Sequence, residues 1–302
     1  MFRKIAITAI MFTLSIIGLK AQLLYKISGK DLQKPSYIVG TFHVASSSFI
    51  DSIPGLRAAM DASEQVCGEL DMKDITSPEN VQKMMTAMMI DGDKTIKDLM
   101  TEEEMKRLNA YMTSLLTVDF NNPMIMQQMG KFTPSALSQQ LSLVSIVKKL
   151  PGFNPQDLLD NAFQLYAAEK QKPVVGLETL DFQINTLYKG KSLERQKQLL
   201  MCLVDNPEYN DQMIDRMIKA YYSLDLLGLK ALLDEKTNDQ CDSTPKEKDD
   251  IFGNRNRDWL TKMPSMMSAH STLFHVGAGH LPGDDGVLQL LKNAGYTVEA
   301  VK

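Results

Sequence analysis

The sequence predicts an α/β (or α+β) fold: a mixed, partly parallel β-sheet core flanked by helices, with a helical insertion acting as lid or wall. Three observations carry this. Apolar runs at Tyr37–Val39, Val174–Val175 and Leu273–Val276 each stop at a glycine, Gly40, Gly176 and Gly277, the mark of a short buried strand that turns sharply at its end. From Ser77 to about Lys172 the apolar spacing is helical instead. After the last glycine-rich turn a helical pattern, Val287–Ala294, runs to Gly295 as its C-cap.

The chain opens with a segment unlike the rest. Arg3 and Lys4 precede an apolar run, Ile5 to Leu19, and Ala21 closes it before Gln22. This is a secretory signal pattern. The run is shorter than the roughly 20 residues a spanning helix needs, so residues 1–21 are expected to be cleaved rather than to anchor the chain. Leu19 is larger than is usual three residues before a cut. The expectation is an exported protein, periplasmic or secreted, with one domain over 22–302 and no stable membrane span.

Leu23 to Ser28 and Ser36 to Phe42 read as strands joined by a polar turn. Ser47 to Ala62 is a helix with Pro54 near its start. Gln65 to Asp71 alternates as a third strand, with Glu69 and Asp71 on one face. Thr101-Glu102-Glu103-Glu104 is a capping box, followed by Met105, Leu108, Met112 and Leu115 at helical spacing. Asn154 to Asp157 opens another helix, with Leu158, Ala162, Phe163 and Tyr166 on its inner face. Met84, Met85, Met88 and Met89 form a methionine-rich face, read as a core stripe rather than an apolar groove.

Pro173 to Glu178 reads as a buried strand, and helices follow through Leu233. Glu235 to Asp250 is polar and reads as an exposed loop. Asn254 to Leu260 starts a helix. The strand Leu273–Val276 comes next, then the turn and the last helix, and Tyr296 to Val301 closes the sheet.

Three cysteines in an exported chain leave at least one thiol free. Cys67 reads as a small strand hydrophobe. Cys202 and Cys241 are the expected pair, although their separation is not set by the sequence. The net charge of -4 gives no footing for nucleic acid. The turn Gly277 to Gly283 has its third glycine one position late for a dinucleotide loop, and Asp284 and Asp285 put negative charge where a phosphate would sit. Neither a His-Glu-x-x-His helix nor a Gly-x-Ser-x-Gly elbow is present.

Four polar residues share one position. His43, Glu69, Glu178 and His280 each lie at or just beyond the C-terminal end of an expected strand. If those strands are parallel, the four converge on one rim of the sheet. Two imidazoles and two carboxylates suit Zn²⁺, Mn²⁺ or Co²⁺. Gly40, Gly277 and Gly279 beside the histidines allow close approach. The structural alternatives are that His43 caps the next helix, that His280 is a donor within its turn, and that Glu69 and Glu178 pair with Arg255 and Arg257. His270 and His275 are not expected to be ligands.

The paired Gly-x-x-His elements (Gly40 to His43 and Gly277 to His280) resemble those of the TraB/GumN family, also called TIKI-like. So do the run from Gly277 to Gly286 and the segment Gly176-Leu177-Glu178-Thr179. The resemblance covers nearly the whole mature chain. It implies a secreted or membrane-tethered metal-dependent protease, although many bacterial members have no established activity. Arg255 and Asn256 match a recurrent Arg-Asn pair of the family.

The expected function is therefore an exported metal-dependent hydrolase, foremost a peptidase acting on a peptide or protein. Its metal would sit among His43, His280, Glu69 and Glu178, and Arg255 would steady negative charge. One glutamate would be a ligand and the other a general base; Glu178, flanked by Leu177 and Leu180, is the preferred base. The alternative is a non-catalytic accessory protein with a vestigial site, for example in surface-polysaccharide export.

Overall fold

The computed structural model describes residues 22–302; the expected signal segment, 1–21, lies outside the described residues. The chain forms a six-stranded mixed sheet in an α/β fold. The strands are β1 (Leu24–Ser28), β2 (Ser36–Thr41), β3 (Gln65–Gly68), β4 (Val174–Gly176), β5 (Thr272–Gly277) and β6 (Thr297–Ala300). Their spatial order is β4-β3-β5-β2-β1-β6.

β5 pairs in parallel with both β2 and β3, and β3 pairs in parallel with β4. β1 runs antiparallel to β2 and β6 antiparallel to β1. The apolar runs of β3 and β5 are buried almost end to end, as strands covered on both faces must be. The register aligns the strand ends. Thr41 lies opposite Gly277, and Gly68 lies opposite both His275 and Gly176. The chain therefore leaves four neighbouring parallel strands on one side of the sheet.

Helices cover both faces. Leu56 and Met60, Phe163 and Ala167, Trp259 and Met263, and Leu288 and Leu291 come from four different helices and join one core with the strands. Burying each large apolar side chain contributes roughly 1.5–3 kcal/mol. A second cluster stands apart. Ile96, Leu108, Met112, Phe120, Leu137 and Leu141 pack with Leu200, Met201 and Val204. The helical block thus has its own core, and it recruits the Leu193–Asp205 helix from beyond residue 172. A Cys202–Cys241 disulfide, with Cα atoms 5.6 Å apart, ties that helix to the loop after the Leu226–Asp234 helix. Cys67 is free and buried, and burial pushes its thiol pKa up.

Several boundaries differ from the sequence expectation, each for a local reason. Ser47–Ala62 is two pieces, a 3₁₀ turn Ser47–Ser52 and a helix Leu56–Ala62. Gly55 between them adopts φ 73°, which only glycine takes without strain. β3 stops at Gly68, so Glu69 and Asp71 are not two positions of one strand face; Asp71 instead caps the Met72–Ile75 helix by accepting from Lys73 N–H.

Residues 154–157 form a turn, and the helix proper is Leu159–Glu169, with Leu159, Phe163, Gln164 and Ala167 innermost. The 235–250 stretch is not all loop, because Thr244 caps a short helix Pro245–Lys248. The methionine face is not core: the Pro78–Ala87 helix buries no residue, and Met85 is 49% exposed. That helix has only the short Met72–Ile75 and Leu180–Ile184 helices as main neighbours, too little surface to close over it.

Candidate functional site

Each of the four rim residues is set by the strand before it. His43 is two residues past β2, Glu69 directly follows β3, Glu178 is two past β4 and His280 three past β5. The β3–β4 ladder continues one step further through Glu178 N–H to Glu69 C=O, 2.9 Å, which fixes the two acidic residues side by side. A short 3₁₀ turn, Ala278–His280, brings the second histidine back over the sheet end.

Gly277 is where three of them meet. A Cβ at this glycine would stand 3.3 Å from Glu69 Oε1, 3.4 Å from His43 Nε2 and 3.7 Å from His280 Cδ2. Its own N–H donates to Glu69 Oε1 at 2.8 Å. Gly40 serves packing instead: a Cβ there would come within 3.0 Å of Ala278 Cα and within 2.9 Å of Leu281 Cδ1. Gly279 plays a similar part against Phe252, 2.9 Å from its would-be Cβ.

Arg255 organises the acids. It lies in the first turn of the Asn254–Ala269 helix and is buried. Its Nε and Nη2 donate to the two oxygens of Glu178, at 2.7 and 3.0 Å, a bidentate pair. Nη2 also donates to Glu69 Oε2 at 2.6 Å, and Nη1 reaches His280 Nε2 at 2.9 Å. Trp259, one turn further along the same helix, donates its indole N–H to Glu178 Oε1 at 2.8 Å. The Glu178 side chain has no solvent exposure. Leu177 and Leu180 are buried as an apolar setting requires, yet the carboxylate between them is surrounded by donors. Arg257 pairs elsewhere, with Asp249 and Asp285 at the surface.

Both imidazoles are held from behind. His280 Nδ1 lies 2.6 Å from Asn256 Oδ1. Asn256 uses its amide N–H groups on the carbonyls of His280 and Asp285, so its oxygen is the acceptor and His280 carries its proton on Nδ1. Nε2 of His280 then accepts from Arg255. Burial pushes the His280 pKa down to about 3, against the pull of Glu69 and helped by the Arg255 charge. His43 Nδ1 lies 2.9 Å from Asp160 Oδ2. Burial opposes charging of His43, but the hydrogen bond and charge of Asp160 outweigh it and raise the pKa to about 9. The His43 side chain is nevertheless 68% exposed, and solvent weakens that shift. Burial also opposes ionisation of Glu69, but His280, His43, Arg255 and the Gly277 N–H together keep its pKa lowered.

The donor chemistry suits a divalent ion: two imidazoles anchored through Nδ1 with Nε2 turned to the rim, beside an ionised carboxylate. Among the described residues, no group of three or more His, Cys, Asp or Glu side chains is arranged to share one ion. The guanidinium of Arg255 already occupies His280 Nε2 and Glu69 Oε2. A cleft of about 780 Å³ between the Pro78–Ala87 and Leu180–Ile184 helices is lined by none of the four rim residues.

Sequence reasoning gave no role to Asp160, Gln164 or Trp259, and placed His275 within its strand only as a histidine not expected to be a ligand. Asp160 bridges two histidines, accepting from His43 and, at 3.0 Å, from His275 Nδ1. The available signal was its spacing: Asp160, Phe163, Gln164 and Ala167 share one helical face, so an acid there points inward.

Comparison with known proteins bears on this site. The family model described as TraB/PrgY/gumN family matches residues 23–300. The chain is also similar to a protein of Nematostella vectensis named "Metalloprotease TIKI homolog", 22% identical over 312 aligned positions. That alignment takes in 89% of this chain and 65% of the relative, so the chain spans less than two thirds of the relative's length. No solved structure matches the chain. Among the described residues no helix is long and apolar enough to cross a membrane.

Proposed function

The chain belongs to the TraB/PrgY/gumN family, and from that premise we propose that it is an exported metal-dependent hydrolase, a peptidase in the first instance. The observation that carries the reading is the meeting of His43, Glu69 and His280 beside Gly277, from three adjacent parallel strand ends. The metalloprotease name of the Nematostella vectensis relative supports the same class. The signal pattern of residues 1–21 supports export.

In this reading His43, Glu69 and His280 would hold the ion, with Arg255 giving up His280 Nε2 and Glu69 Oε2 to it. A bound Zn²⁺, Mn²⁺ or Co²⁺ would polarise a scissile carbonyl and make water more acidic. The rest falls to the chain's own groups. Asn256 and Asp160 keep Nδ1 of each imidazole protonated, leaving Nε2 as the donor atom. Arg255 supplies fixed positive charge where negative charge develops on a substrate oxygen. Glu178, preferred from sequence as the base, has both oxygens engaged by Arg255 and Trp259. We assign it to holding the guanidinium, and keep Glu69, whose pKa is lowered at the rim, in the ligand set.

One observation favours a second reading, a non-catalytic accessory protein. A buried arginine balanced by two carboxylates and a neutral histidine is a closed ionic cluster that needs no metal.

The separating experiment is metal analysis of protein purified from its exported form, with hydrolysis of a mixed peptide library before and after chelation. Stoichiometric metal, with chelator-sensitive cleavage restored by one of the three ions, is the expected result. Protein that purifies empty, takes up none of the three ions and cleaves nothing supports the accessory reading.

A further inference from the structure

We propose that Asp160 and His275 are positioning residues, a paired support that sets the proton and the aim of His43. The proposal rests on the reading of His43 as a donor at the rim, but its physical content is separate from any metal.

The support is built from three elements. His275 lies in the middle of β5, 3% exposed, with its ring against Phe163 at a centroid distance of 5.2 Å. Gln164 fixes its tautomer. The Gln164 oxygen accepts from Met72 N–H at 2.9 Å, and its amide nitrogen donates to Leu70 C=O at 2.8 Å while lying 3.4 Å from His275 Nε2. An amide nitrogen only donates, so His275 Nε2 is an acceptor and the ring proton sits on Nδ1. That proton is donated to Asp160 Oδ1 at 3.0 Å. The other carboxylate oxygen, Oδ2, then faces His43 Nδ1 at 2.9 Å.

The direction of the chain matters. Every group from Gln164 to Asp160 has its role set by the one before it, so Asp160 reaches His43 as an acceptor with one oxygen already filled. An acceptor at Nδ1 forces neutral His43 to keep its proton there and to direct the Nε2 lone pair at the rim. Gly68 makes the packing possible: a Cβ there would lie 2.7 Å from His275 Nε2 and 2.8 Å from Gln164 Nε2. His43 is the most exposed of the rim residues and has the least packing to orient it. It is therefore the residue that most needs such a support.

The chain has only four histidines, so selective ¹⁵N labelling of histidine resolves the tautomers directly. Metal-free protein is examined at a pH where His43 is neutral. The expected wild-type spectrum shows His43 and His275 both protonated at Nδ1 and bare at Nε2. In Asp160→Ala, His43 should revert to the Nε2–H form that free imidazole prefers. Asp160→Asn keeps the shape but sets an amide N–H against one ring N–H, and His275→Phe leaves Asp160 intact with one donor removed. These two variants serve if Asp160→Ala does not fold.

In parallel, Zn²⁺ affinity is measured by chelator competition. Loss of the support should weaken it about 10–100-fold in the Asp160 variants, and less in His275→Phe. A wild-type His43 protonated at Nε2 overturns the proposal whatever the metal does. Unchanged Zn²⁺ affinity in Asp160→Asn, with wild type binding, overturns it too. Wild type that shows the stated tautomers and binds no Zn²⁺ upholds the support and refutes the metal reading instead.

Discussion

Arg255 occupies the lone pair of His280 that a metal would use. The guanidinium Nη1 lies 2.9 Å from His280 Nε2, and Trp259, the only tryptophan of the chain, stacks on the same imidazole with ring centroids 4.4 Å apart. An ion that binds His280 must take that nitrogen from Arg255, and the change occurs in contact with the indole. Adding Zn²⁺ to chelator-treated protein should therefore shift the intrinsic tryptophan fluorescence, and His280→Ala should abolish the shift. Zn²⁺ shown to be bound by equilibrium dialysis, with no fluorescence change, would remove His280 from the ligand set.

Glu178→Gln should act on stability first. The side chain is without solvent exposure and accepts from Arg255 twice and from Trp259 once. Glutamine leaves a buried guanidinium short of its counter-charge and turns an amide N–H toward it. Breaking one half of a buried ion pair costs about 3–5 kcal/mol, part of which Glu69 offsets through its own contact with Nη2. Chemical denaturation should show a loss of roughly 2–4 kcal/mol. Zn²⁺ should still raise the melting temperature of the folded fraction, because bound ion stabilises only the native state. Undiminished stability with lost metal affinity would mean that Glu178 is a ligand.

The Cys202–Cys241 bridge closes a span of 39 residues. The chain-entropy estimate for such a loop is about 4 kcal/mol. Cys202→Ser or Cys241→Ser should lower stability by up to that amount. Under denaturing conditions one thiol should react before reduction and three after it; three before reduction would disprove the bridge.

Glu247 should leave a mark on acid stability. Arg195 holds its pKa down at about 2 through a bidentate pair at 2.8 and 3.0 Å, with burial opposing and the Thr244 N–H helping. A depressed folded-state value means that the stabilisation is fully present above the unfolded value, about 4.3, and is lost as pH falls through 2. The pair is partly reached by solvent, so about 1–3 kcal/mol is at stake. Glu247→Gln should be less stable than wild type at pH 7 and should lose less on acidification from pH 5 to pH 2. Parallel stability–pH curves would contradict this.

The rim was legible because its signals are local. An apolar run ending in glycine, with a His or Glu one to three residues on, places a polar group at a strand end whatever the topology. The parallel order that brings those ends together depends on pairings such as Gly68 with His275, which no local pattern encodes. Asp160 was hidden by an error in helix phase: an inner face drawn through Leu158, Ala162, Phe163 and Tyr166 turns Asp160 outward, whereas the true face through Leu159, Phe163, Gln164 and Ala167 turns it in. Pairing of the glutamates with Arg255 and Arg257 was foreseen as a structural alternative, but Arg255 alone partners both while Arg257 pairs at the surface; Trp259 as a donor was not foreseen, since an indole in a helix reads as core. The methionine face misled for the opposite reason. Amphipathic spacing states which side of a helix is apolar, not whether anything lies against it.

The place of β5 has a consequence for how the molecule comes into being. It is the fifth strand in the chain and lies between β3 and β2 in the sheet. Before it is added, β3 with β4 and β2 with β1 are separate ladders that share no hydrogen bond. Everything from the first strand to the Asn254–Ala269 helix can be synthesised and still leave the halves of the sheet unjoined. Contacts spanning more than two hundred residues, such as Tyr37 with Leu273, are slow to form. A chain truncated before Thr272 would carry His43, Glu69, Asp160 and Glu178 with nothing to hold the two halves in register. The polar rim therefore cannot form before β5 is made, and premature termination should yield protease-sensitive fragments rather than a partly working domain.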